Sequence, residues 1–187
     1  MKWFEIPNLT LDVCSSISRE WMYNIGDNIT EPPWSIRPYQ IPEEDLFHIS
    51  PITDIIPVKM ARAALIMTPA STICKTHVDA EATSGDISSA KYFGKARRQR
   101  ITAINIPINV EANSLFQYMD GDKVVETIDL LTTKCWDVSI PHRVDNSNSI
   151  QNRVVLSLGF YETVEDIYTA IVTHCPKLKC YPGPGPQ

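Results

Sequence analysis

His77 and Asp79 stand two residues apart in "CKTHVDAE", just after a run of small and β-branched residues, "ALIMTPASTI". In extended chain that spacing puts both side chains on one face, so an imidazole and a carboxylate can turn toward one point. A second histidine, His142, follows in "DVSIPHRVDN", where a strand should be ending. Two imidazoles and one carboxylate on one side of a metal leave the opposite positions open, an arrangement that suits non-haem Fe(II) oxygen chemistry. The pair alone also fits a polar loop entry, because His and Asp are common at strand ends.

Eleven residues beyond His142, Arg153 opens the apolar run "VVLSLGF". A guanidinium facing into a strand-rich core is costly unless an anion meets it, and its planar fork fits a carboxylate in a bidentate way. The competing reading leaves Arg153 outside the core, paired with Asp145 or solvent. A hairpin centred between Ser147 and Asn148 would set His142 and Arg153 directly opposite each other. A crossing between two facing sheets would point both into the space between them.

The elements that must position these residues are mostly strands. "ARAALIMT", "STICKTHV", "RITAINIPINV", "LFQYM", "KVVETIDLL", "CWDVSI" and "RVVLSLGFY" are short β-rich runs, separated by turn residues such as Asp120-Gly121-Asp122. They predict a sandwich or barrel. The spacing of Val13, Ile17, Trp21 and Met22 predicts a helix over Leu11 to Asn24. "EPPWSIRPYQIPEED" reads as irregular proline-rich wrap, Thr163 to Cys175 as a short helix, and "YPGPGPQ" as a disordered end.

The chain's 187 residues with 43% hydrophobic content suffice for one buried core. One domain is therefore expected, with an N-terminal helix and wrap (1–57), a β core (58–162) and a C-terminal extension (163–187). A net charge of -5 argues against general nucleic-acid affinity. A local exception is "KYFGKARRQR", Lys91 to Arg100, a basic stretch that reads as a solvated loop. No apolar run is long enough to cross a bilayer, and five scattered cysteines without a CxxC pair read as reduced thiols. A soluble, cytoplasmic protein is the expectation. His48 and His174 have no partner at ligand spacing.

The ordered set His77-x-Asp79, His142 and Arg153, embedded in "CWDVSIPHRVDNSNSIQNRVVLSLGF", resembles the 2-oxoglutarate and Fe(II) dependent dioxygenases. With "RITAINIPINVEANSLFQYMDGD" it looks like the phage-type or aspartyl/asparaginyl hydroxylase-like members, over about Met60 to Tyr161. The resemblance implies a mainly β fold, the double-stranded β-helix or cupin-like jelly-roll, with flanking helices. It prefers the facing-sheet geometry to the hairpin. It also implies that His77, Asp79 and His142 bind Fe(II), that Arg153 holds the distal carboxylate of 2-oxoglutarate, and that O2 takes the last position.

By the same resemblance, 2-oxoglutarate would be oxidatively decarboxylated and an unidentified small molecule or peptide hydroxylated. Asn105 and Tyr118 are further cosubstrate candidates. Asn105 shares one face of "ITAINIPINV" with Ala103 and Pro107, and Tyr118 lies in "LFQYM". The chain departs from many relatives in having Val155 where they carry a serine two residues after the arginine; Ser157 comes four after. Two other readings are a jelly-roll metal enzyme that does not use 2-oxoglutarate and a catalytically silent binding module.

Overall fold

Alternation along the apolar runs sorts the strands into two antiparallel sheets. The computed structural model describes residues 1–14, 16–28, 38–79 and 100–183. One sheet has seven strands: β1 (Trp3–Glu5), β2 (Pro38–Gln40), β3 (Arg62–Thr68), β4 (Thr102–Asn109), β7 (Lys134–Asp137), β9 (Arg153–Phe160) and β10 (Tyr181–Pro182). Its order is β10-β1-β7-β4-β9-β3-β2. The second sheet holds β5 (Leu115–Asp120), β6 (Lys123–Asp129) and β8 (His142–Asp145), in the order β6-β5-β8. The β5–β6 turn takes Gly121 at φ 57°, a left-handed value that glycine adopts without a Cβ clash.

Two apolar clusters lie on the two faces of the larger sheet. Ala63, Leu65, Ile104, Ile106, Leu156, Leu158 and Phe160 pack on the helix side with Met22, Ile167 and Ile171. Ala103 and Trp136 pack between the sheets with Phe116, Tyr118, Ile128 and Val144. This is a jelly-roll sandwich with helices on one outer face. All of β9 is buried, as a strand covered on both faces requires.

The alternation fixes where the site can be. With Ile104 and Ile106 on the helix side, Asn105 joins Ala103 between the sheets. With Leu156, Leu158 and Phe160 on the helix side, Arg153 and Ser157 also face inward. β8 and β9 lie in different sheets, so His142 and Arg153 stand on facing sheets and are not paired along a hairpin.

Helix α1 runs Ser16–Asn28, and a separate 3-10 turn, Leu11–Val13, precedes it; one helix from Leu11 was expected. Thr10 caps that turn, its side chain accepting from the Asp12 amide, and Cys14 is already extended, which ends the turn before α1 begins. A one-turn helix, α2, spans Ser50–Thr53 after a 3-10 segment, Glu43–His48. Helix α3 (Val164–His174) fits its prediction, with Thr163 and Asp166 forming a capping box.

Four corrections concern strands. "STICKTHV" makes only isolated bridges, Ile73 to Asp145 and His77 to His142. Part of the reason is that the Lys75 carbonyl accepts the His77 ring nitrogen, 2.8 Å away. β1 and β2 were not foreseen, being three-residue edge segments too short to show a period. Part of the proline-rich wrap is β2, paired to β3. The tail's first residues, expected to be disordered, form β10 against β1, and Gly183 N donates to Trp3 O at 3.0 Å. The basic run up to residue 99 lies outside the described residues.

Candidate functional site

Backbone pairing brings the two histidines together. His77 and His142 exchange reciprocal N–H···O bonds of 2.9 Å each, and their ring centroids lie 4.5 Å apart. Each ring then donates from Nδ1 to a carbonyl two residues back, His77 to Lys75 and His142 to Ile140, both at 2.8 Å. A carbonyl can only accept, so the proton is on Nδ1 and Nε2 carries the lone pair. Metal-binding imidazoles are commonly oriented this way.

Asp79 is placed by its own amide, which donates to Val138 O at 2.9 Å. Its Oδ1 lies 3.6 Å from His77 Nε2. One ligand atom from each of His77, Asp79 and His142 falls within 4.8 Å of the others. His142 is 4% exposed and stacks on Phe116, which in turn stacks on Trp136. Burial pushes the His142 pKa below its ordinary value, so the ring is neutral, as a ligand must be.

Arg153 lies between the sheets at 2% exposure. Its Nη1 donates to Thr68 Oγ1 at 3.3 Å, the neighbouring residue in register on β3. Its Nε and Nη2 are buried and have no partner among the described residues. Desolvation draws its pKa down to about 10, which leaves it cationic at neutral pH. Asn105 is the register partner of Ser157, and its Oδ1 is buried without a donor among the described residues. A half-turn of that amide presents its NH2 to the same place. A buried cation with two unused donors, on the same inner face as a buried amide whose oxygen has no donor among the described residues, is a cradle for an anion, and the donor set fits a carboxylate.

Tyr118 does not sit where its expected role needs it. Its hydroxyl is buried between two backbone carbonyls, Lys2 O at 3.0 Å and Asp137 O at 3.2 Å. Its single proton is committed there, so it offers no donor to a cosubstrate. Tyr118→Phe is therefore expected to cost about 1 kcal/mol of stability in denaturant unfolding and to leave affinity for 2-oxoglutarate unchanged in calorimetry.

Asp145 also stays outside the group, because its Oδ1 accepts from Ser147 N and Oγ. His48 stacks on Trp21, and His174 is exposed at the end of α3.

One residue at the site escaped the sequence reading. Arg100 Nη2 donates to Asp79 Oδ2 in an ion pair, with Arg100 11% exposed and Asp79 23%. The Arg100 side chain lies across Gly159, where any Cβ would collide with its Cδ. A lone glycine inside the apolar run "VVLSLGF" was the available signal, since glycine within a strand marks a close approach.

No protein-family model matches the sequence, and no curated protein does either. Solved structures do. The viral collagen prolyl hydroxylase of Paramecium bursaria Chlorella virus-1, in its 2-oxoglutarate complex, superposes with a TM-score of 0.51 at 7% identity, covering 85% of this chain and 95% of that one. The fold is shared. A Pseudomonas putida prolyl-4-hydroxylase gives 0.49 at 11% identity over 87% and 94% of the two chains. HygX from Streptomyces hygroscopicus, with nickel and 2-oxoglutarate bound, gives 0.44 at 11% identity over 79% and 78%. No helix among the described residues is long and apolar enough to cross a membrane.

Proposed function

We propose that this chain is an Fe(II)- and 2-oxoglutarate-dependent dioxygenase, a hydroxylase acting on a small molecule or peptide. The observation that carries the reading is Arg153: a buried guanidinium between the sheets, with Nε and Nη2 unpaired among the described residues, in the same sandwich whose rim carries the His77–Asp79–His142 group. A fold neighbour solved with 2-oxoglutarate supports it. A jelly-roll metal enzyme without an anionic cosubstrate would have no use for that cation. A silent module would have no need of two histidines with their Nδ1 protons fixed on carbonyls.

On this reading His77, Asp79 and His142 hold Fe(II), and Arg153 takes the distal carboxylate of 2-oxoglutarate in its fork. Asn105, on the same inner face, would hydrogen-bond the same acid. Iron and 2-oxoglutarate together supply the activation of O2 when bound. The protein's own residues bind, orient and exclude water. Lys75 O and Ile140 O hold the two imidazoles by Nδ1, leaving Nε2 of each for the ligand group, and Phe116 holds the His142 ring by stacking. Thr68 steadies one arm of Arg153, and the inter-sheet apolar cluster keeps the deep end dry, which strengthens the charge pairing.

The test is succinate release from 2-oxoglutarate in air with added Fe(II), read beside calorimetric binding of each component under anaerobic conditions. Succinate formation that depends on both iron and His142 is the expected result. Failure of the purified protein to bind either metal or 2-oxoglutarate would overturn the proposal.

A further inference from the structure

We infer that Arg100 is a positioning residue that restricts Asp79 to a single ligating oxygen; this rests on the metal-site reading above. The two carboxylate oxygens of Asp79 have different surroundings. Oδ1 faces His77 Nε2, 3.6 Å away, inside the cluster of ligand atoms. Oδ2 is turned to Arg100 Nη2. A carboxylate with one oxygen held in a charge-assisted bond offers the other to a metal. Freed of that bond, it can offer both.

The arginine is held by something besides the carboxylate. Its aliphatic stem lies on Gly159 of β9, the strand that also carries Arg153 and Ser157. Because Gly159 has no side chain, the Arg100 stem can lie against the sheet there on its way to Asp79 Oδ2, the oxygen that is not the one nearest His77. A methyl group at 159 would push the stem off that path while leaving the positive charge in the protein. The glycine and the ion pair are thus two parts of one device.

The consequence concerns the open positions. Three single-atom ligands leave three positions of an octahedral metal free, two for a chelating keto acid and one for O2. A second oxygen from Asp79 would take one of them. Arg100 keeps that position for the cosubstrate, and does so at some expense to the metal's hold, because it places a cation beside the dication.

Mn(II) is the probe, under anaerobic conditions, with wild type, Arg100→Ala and Gly159→Ala. Free Mn(II) measured by electron paramagnetic resonance gives the affinity, and water proton relaxation gives the exchangeable waters on the bound ion. Calorimetry of 2-oxoglutarate into the Mn(II)-loaded protein gives cosubstrate affinity. Both variants are expected to bind Mn(II) no more weakly than wild type, to lose about one third of the bound-ion relaxivity, and to bind 2-oxoglutarate about tenfold or more weakly.

The Gly159→Ala arm separates loss of contact from loss of charge, and circular dichroism checks its fold; Arg100→Ala decides alone if that variant does not fold. Wild-type relaxivity and cosubstrate affinity in Arg100→Ala would overturn the inference. So would a loss of Mn(II) affinity beyond about tenfold, which would make Arg100 a support for the ligand set and not a limit on it. A wild type that binds no Mn(II) would bring down the metal reading itself.

Discussion

Arg153→Met should make the protein without ligands more stable while abolishing its affinity for 2-oxoglutarate. The guanidinium is 2% exposed, and among the described residues two of its three nitrogens have no partner and no carboxylate pairs with it. Replacing an incompletely compensated buried charge with an apolar side chain of similar length is expected to stabilise by about 1 to 3 kcal/mol. For a chain of this size that raises the melting temperature by roughly 2 to 10 °C. The same change removes the fork that would meet the distal carboxylate, at a cost of about 2 to 5 kcal/mol of binding, roughly a 30-fold loss or more. Metal affinity should be retained.

The pH dependence follows from the sign of the shift. Arg153's pKa in the fold, about 10, lies below its ordinary value. The folded protein therefore releases this proton before the unfolded chain does, and the destabilisation is fully present below about pH 10. It fades as pH rises toward the unfolded value, so the stability gap between Arg153→Met and wild type should narrow there. Thermal melts of the two proteins across alkaline pH, with calorimetry at neutral pH, check both halves. A variant less stable than wild type at neutral pH would show that the buried cation is already compensated.

The second large effect is expected at Asp79. Asp79→Asn keeps the side-chain shape and removes the charge from the group of ligand atoms. Loss of an outer hydrogen-bond partner commonly costs about 10- to 100-fold in metal affinity. Loss of an anionic ligand, one of three, is expected to exceed 100-fold. In wild type, divalent metal at about a hundred times its dissociation constant should add roughly 2.7 kcal/mol to stability. The variant should show no metal-induced rise in melting temperature at that concentration. An unchanged rise would mean that the metal binds elsewhere.

The ordered residues His77, Asp79, His142 and Arg153 were legible because each sits where strand periodicity breaks or where a charge interrupts apolar chain. Asn105 was legible on the same ground, since the isoleucines beside it fix its face. Tyr118 was misread because sequence gives the type of a buried polar group but not its partner; the carbonyls of Lys2 and Asp137 come from segments 116 and 19 residues away in the chain. Arg100 was hidden for a related reason. In the sequence it is one cation in a basic run, and only packing against Gly159 separates it from its neighbours. The short edge strands β1, β2 and β10 were missed because two or three residues carry no period, and their pairing comes from tertiary context.

The reciprocal backbone hydrogen bonds between His77 and His142 have a consequence for the order of assembly. In small zinc-organised domains the metal gathers the chain, and affinity for the ion is folding free energy. Here the closing of two sheets gathers the ligands, across contacts remote in sequence that must form before any ion finds its three partners. If the proposed function holds, folding comes first and metallation second, as separable events. On the proposed reading, the finished protein can be emptied by a chelator, stored without metal and refilled as supply changes, with no need to be remade.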